Sequence, residues 1–248
     1  MIKKLLLILC ALALCSSSFA GSDDIKKKVI ARKNALSTPT FVKQNAAVTN
    51  WGATCTVTIT PNAGTNRCFI VAGSGTVQTV DSATFGGAAM DDDTLIQVTQ
   101  DTMHGGMFFE CTDVGVAEVN VVVTYSGACA NACWVIQVDG VNTGDIVEAS
   151  DTDTGDNADN QVETTVTPVT NNTLLVSMVA NQDDTGAFSV CNATGQTLLD
   201  ETTEAGSQEI SGGYFDLSVA AEKNQCFLYS AATDDTIMIT AAINPAGS

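Results

Sequence analysis

Thr58-Ile59-Thr60-Pro61 is answered 107 residues later by Thr165-Val166-Thr167-Pro168. Gly105-Gly106-Met107-Phe108-Phe109 is answered at the same offset by Gly212-Gly213-Tyr214-Phe215-Asp216. Tyr125-Ser126 recurs as Tyr229-Ser230 at 104, and Cys133-Trp134-Val135-Ile136 lines up there with Ile237-Met238-Ile239-Thr240. Blocks in one order at nearly constant spacing mark a duplication, and a repeat decides the fold before any local signal does. Between the copies lies the acidic run Glu148 to Asn160, which reads as a surface crossover.

Inside each copy, short runs alternate Thr, Val and Ile with turns rich in Gly, Asn and Asp. Predicted strands in the first are Cys55–Thr60, Arg67–Gly73, Val77–Phe85, Leu95–Thr99, Met107–Cys111, Glu118–Tyr125 and Cys133–Val138. The second offers Gln161–Thr167, Thr173–Ala180, Gln196–Asp200, Gly213–Leu217, Gln225–Ser230 and Thr236–Ile243. Val119, Val121 and Val123 share one face while Asn120 and Thr124 take the other, as in a strand with one wet side. The pattern predicts an all-β, antiparallel, jelly-roll-like β-sandwich built from two Greek-key halves. The halves are 51–147 and 161–248, joined by 148–160. One domain is preferred over two tandem sandwiches, since each copy is short and poor in aromatic residues.

Before Trp51 the composition changes. Residues 1–20 carry Lys3 and Lys4, an apolar run Leu5 to Leu14, and a small-residue site at Ser18-Phe19-Ala20, which together predict a secretory signal peptide. Leu12-Ala13-Leu14-Cys15 offers a lipoprotein alternative in which Cys15 is acylated, although Leu14 departs from the small residue usual before such a Cys. Residues 21–50 form a basic arm of net charge +4, with a short helix predicted from Ser22, stopped by Ser37-Thr38-Pro39. Thr40-Phe41-Val42 and Ala46-Ala47-Val48 have the pattern of a strand added to an open sheet edge. From Trp51 onward the net charge is −24, within a chain of 248 residues and −18 overall. So acidic a body excludes nucleic acid as its partner. No later segment is long and apolar enough to cross a bilayer as a helix.

Thr84-Phe85-Gly86-Gly87-Ala88-Ala89-Met90, the Val-rich Val119–Ser126 and the corner Val138-Asp139-Gly140-Val141-Asn142 carry a family likeness. The chain resembles a loose group of uncharacterised secreted and phage-borne β-sandwich domains with an aromatic-Gly-Gly-x-x-Met turn. The resemblance implies fold and exposure, with no catalytic residue to carry over. Cys111, Cys133 and Cys226 depart from it, standing where aliphatic residues are expected.

Seven cysteines follow the leader: Cys55, Cys68, Cys111, Cys129, Cys133, Cys191 and Cys226. In a secreted chain they are expected to oxidise. Cys55 with Cys68 across the Thr60-Pro61-Asn62 turn, and Cys129 with Cys133 as a small loop, are the expected pairs. The odd number leaves a free thiol or a bridge between chains. Zinc is disfavoured by the spacings and by His104 being the one His.

Carboxylates cluster at Asp91-Asp92-Asp93, at Asp151, Asp153, Asp156 and Asp159, at Asp183-Asp184 and at Asp234-Asp235. Calcium takes six to eight oxygens, often from alternating carboxylates, which makes 151–160 the candidate metal site. Gly155 falls one place early for the familiar loop, and no Glu stands at the twelfth position. No other cofactor is implied. His104 lacks the partners of a nucleophilic triad. Trp51, Trp134 and Tyr214 are candidates for a sugar-stacking face, with Trp134 better read as core. The expected function is non-enzymatic: a secreted structural or surface protein that self-associates through its arm. The alternative is a carbohydrate-binding module, calcium-dependent or not, with a surface glycan as partner.

Overall fold

The computed structural model describes residues 37–112, 114–155, 160–182, 188–191, 195–199, 202–204, 208–229 and 235–247. The leader and the helix expected after Ser22 lie outside the described residues. Among the described residues every regular element is a β-strand, and every pairing is antiparallel. The first half contains β1 (Thr40–Ile59), β2 (Cys68–Thr76), β3 (Val80–Phe85), β4 (Ala88–Ala89), β5 (Asp91–Gln100), β6 (Met103–Glu110) and β7 (Val119–Asp139). The second contains β8 (Val147–Gly155), β9 (Gln161–Val166), β10 (Thr173–Asn181), β11 (Ser189–Val190), β12 (Thr197–Leu198) and β13 (Thr202–Glu204). It closes with β14 (Gln208–Leu217), β15 (Lys223–Leu228) and β16 (Thr236–Ile243).

The duplication is present in the strand order. One inner sheet runs β1, β7, β2, β6, β5, and the other runs β8, β16, β10, β14, with β12 and β13 both on β14. Outer layers repeat as well: β1, β7, β3 and β4 in the first half, β9, β15 and β11 in the second. Register repeats too. Thr58 pairs with Asn120, and Thr165 pairs with Asn224, the sequence offsets being 107 on one strand and 104 on the other.

One sequence alignment needs shifting. Cys133 matched to Ile237 puts them on opposite faces, because Cys133 packs in the first half's own core while Ile237 faces the other half. Side chains alternate along a strand, so an even offset here fails and Trp134 is the residue that matches this face.

Each half has an interior of its own. In the first, Phe69, Phe85, Phe108, Val121 and Val135 pack between the two layers. In the second, Val162, Val179, Phe227 and Met238 form one cluster, with Val166, Leu175 and Ala242 forming a neighbour. A larger core then joins the inner sheets, with Ile70, Met107 and Trp134 against Leu174, Met178 and Ile239. The sandwich is thus two small two-layer units fused through a common interior. With both faces covered, β2, β10 and β16 are buried along their whole length and read as mostly apolar runs.

Two boundaries differ from expectation. The arm does not end at Trp51: β1 crosses that position, and its first part pairs with β7 from Thr40–Asp139 to Thr49–Asn131. The acidic tract does not join the halves as a crossover. Glu148 to Gly155 lies in β8, paired with β16 from Thr236–Gly155 onward. Acidic residues are poor strand formers, and composition therefore argues for a loop. At an edge, however, a strand can keep its carboxylates half-exposed, and β8 has such an edge.

Disulfides differ as well. Cys55 bonds to Cys133, Cys68 to Cys111 and Cys191 to Cys226, while Cys129 is a buried free thiol. Cys55 and Cys68 cannot pair, because Cys55 faces the first half's interior and Cys68 faces the shared core. Cys129 and Cys133 lie on one extended strand, where four residues span about 13 Å, beyond disulfide reach. Three disulfides, with no described helix long and apolar enough to cross a membrane, are compatible with an extracellular protein.

Candidate functional site

The acidic strand β8 was the strongest site expectation, and its described carboxylates turn inward to the protein's own backbone. Asp151 Oδ2 accepts the N–H of Thr165, and Asp153 Oδ2 accepts the N–H of Glu163, each at 2.8 Å. Asp151 Oδ1 also accepts the N–H of Thr152 at 2.9 Å. Glu148 takes the N–H of Thr170 at 3.0 Å and the hydroxyls of Thr170 and Thr173 at 2.7 Å. These bonds fasten the inner sheet's edge to the chain that turns into the outer sheet. Strand edges present unpaired amides, and carboxylates satisfy them with strong charge-assisted bonds.

The first half closes the same corner with donors. Asn45 Nδ2 donates to the Thr58 carbonyl, and Lys43 Nζ donates to the Thr60 carbonyl at 2.7 Å. Thr58 and Thr165 are matched residues, so one corner carries a cation and the other carries anions. The inner sheets pack with β1 beside β13 and β8 beside β5. Given the order of the strands, the two corners lie at opposite edges of the molecule.

Asp151 and Asp153 of the calcium candidate are therefore together on one strand. Asp156 and Asp159 lie outside the described residues. Among those described, no three acidic, Cys or His side chains converge as a metal cage.

The remaining candidates are dispersed. His104 sits on β6, half-buried, with Nδ1 3.1 Å from the Thr99 hydroxyl. Trp134 is fully buried, with Nε1 donating to the Ser211 carbonyl at 3.2 Å. Tyr214 stacks on Phe41 at 4.8 Å between centroids, joining the halves. Trp51 is 73% exposed. The three aromatic residues do not share a sugar-stacking face.

At the opposite end of the strands from Trp51, two cavities of about 440 and about 390 Å³ share Thr143 in the β7–β8 connection. Arg67 lines the larger one. Its guanidinium donates Nη1 to the Asn62 carbonyl at 2.8 Å and Nη2 to the Val114 carbonyl. It also lies over the Phe69 ring at 5.7 Å. This Arg ties two turns together. Sequence reasoning did not anticipate the cleft, because its walls come from three separate connections and from β5.

No family model matches the chain, and no curated protein matches it.

Proposed function

We propose that the protein is a secreted, non-enzymatic surface component whose copies associate head to tail. In this reading the basic N-terminal segment and the Lys43 edge of one copy meet the acidic β8 edge of the next. The observation that carries it is the placement of the two corners: corresponding strands, opposite charge, opposite edges. A contact between two different patches repeats without closing unless rotation forms a ring, and so favours a filament or layer. Strong like charge would otherwise keep copies apart. Signal-like residues 1–20 and the three disulfides support an extracellular setting.

The test is size-exclusion chromatography with light scattering on residues 21–248 beside residues 37–248. Cutting at Trp51 would be misleading, since it removes the edge strand on β7. Assembly of the longer form alone, weakening as salt shortens the screening length below about 10 Å, is the expected result. Monomers from both forms at low salt would refute the proposal.

A further inference from the structure

The outer sheet of the first half presents a regular grid of hydroxyls. Along β1, Thr54, Thr56 and Thr58 are exposed while Cys55, Val57 and Ile59 between them are buried. Pairing places Thr54 beside Thr124, and Thr124 beside Ser82. The next row places Thr56 beside Val122, and Val122 beside Thr84. Strand geometry repeats such a grid at about 4.8 Å across the strands and about 6.8 Å along them. Thr has a β-branched, rotationally restricted side chain, so its methyl and hydroxyl are held nearly in place before any partner arrives.

Among the described residues, the hydroxyls of Thr54, Thr56, Thr58, Ser82, Thr84 and Thr124 have no hydrogen-bond partner. The second half supplies an internal comparison. There the matched outer face is ionised and bonded to itself: Thr165 donates to Asn224 at 2.8 Å, and Asn224 donates to Glu163 at 2.6 Å. Gln161 also donates to Glu163, at 3.0 Å. Thr58 and Asn120, at the position matched to Thr165 and Asn224, make no such bond. The backbone plan is shared, but on the paired strands β9 and β15 the outward polar groups bond to one another, whereas those of β1, β7 and β3 do not.

The grid is also uncharged, in a chain of net charge −18. Asp81, at the β3 bulge, Glu118, just before β7, and Lys43, bonded to the Thr60 carbonyl, stand at its rim. An ionic partner would find little complementary charge here, and a small ligand would seek a concave site instead. A polysaccharide surface is suited by aromatic rings, and none occupies the grid.

We propose that this face binds the surface of crystalline water. An ice face is neutral and presents oxygen positions repeating in two dimensions, at spacings close to those between strands and between alternate residues. The ordered hydroxyls can hydrogen-bond to that lattice while the methyls fit between its oxygens. The grid adjoins the Lys43 corner at Thr58, so the variants below are placed at Thr54 and Thr56, away from the edge that self-association would use.

The test is partition of the whole mature chain into slowly grown ice, with ice-recrystallisation assays alongside. The variants are Thr56→Tyr, midway along the grid's β1 side, Thr54→Lys at its corner, and Thr165→Tyr on the matched face of the second half. Circular dichroism melting confirms that each is folded. Wild type and Thr165→Tyr are expected to enter ice, and Thr56→Tyr to be depleted roughly tenfold, since a bulky ring on this row holds the neighbouring hydroxyls off a flat surface. Should Thr56→Tyr fail to fold, Thr54→Lys supplies the same comparison. Exclusion of the wild type from ice overturns the proposal. So does equal entry by the folded grid variants, or binding to crystalline cellulose or chitin without binding to ice.

Discussion

Asp151 Oδ2 accepts the backbone N–H of Thr165 at 2.8 Å, fastening the acidic edge strand to the outer sheet. Its carboxylate is a structural acceptor in a place where the sequence alone invites a metal. Asp151→Ala is expected to cost about 1.5–3 kcal/mol, the usual scale for a hydrogen bond to a charged group. Because Asp153 holds Glu163 in the same way, the double change should cost more than either alone. Chemical denaturation with calcium and with chelator checks this. The loss should be the same in both, whereas a loss confined to calcium would assign these carboxylates to the ion.

Cys55 and Cys133 are 78 residues apart in sequence and link the two layers of the first half. Replacing both with Ala should cost about 4 kcal/mol on the chain-entropy scale. Cys129 should react with a thiol reagent only after unfolding, because its side chain is buried. Mass spectrometry of labelled native and denatured protein distinguishes this from the pairing of Cys129 with Cys133.

Burial pushes the Tyr125 phenol well above its ordinary range, and the neighbouring Cys129 adds to the rise. The Cys129 thiol is raised as well, chiefly by burial, against lowering hydrogen bonds from Asn131 and Thr76. Both groups are thus held neutral in the fold. At neutral pH they are protonated in folded and unfolded chains alike, and their full contribution is present. The unfolded chain loses its protons first, near about pH 8.5 for Cys and about pH 10 for Tyr, so stability falls as pH rises through these values. Melting temperatures should decline in two stages. Cys129→Ala should flatten the first and Tyr125→Phe the second. A decline unchanged in both variants would place the alkaline sensitivity elsewhere.

Trp134 touches both halves, filling the common core and donating to Ser211 across it. Trp134→Ala should cost about 3–5 kcal/mol. Because the shared interior couples the two units, wild type should unfold in one calorimetric transition, and the variant should separate them into two. A wild type that already melts in two steps would show that each half is stable by its own core.

Much of the architecture was legible in local sequence. The alternation of Val119, Val121 and Val123 with Asn120 and Thr124 identified a strand with one wet face, and Thr58 to Pro61 repeated as Thr165 to Pro168 located matching strands in the two halves. Each predicted run overlaps a strand, although β3 begins only at Val80 and only Thr197–Leu198 of the run Gln196–Asp200 is a strand. What misled was composition: Glu148 to Gly155 looked like a loop because acids seldom occupy strands, and the arm looked separate because its lysines stand apart from the acidic body. At the calcium candidate, the partners of Asp151 and Asp153 were not legible in the sequence. Spacing records which carboxylates are close along the chain, but not that backbone amides ten or more residues away will occupy them.

The sequence by itself determined the all-β class, the duplication and the charge asymmetry, because each depends on residue order over short windows. Tertiary structure alone decided which face each cysteine takes, and therefore that Cys55 meets Cys133 while Cys68 meets Cys111. It also decided that the halves share a core and that the donor and acceptor corners fall at opposite edges. Those outcomes depend on how sheets stack, and stacking is set by contacts between residues that may stand a hundred positions apart.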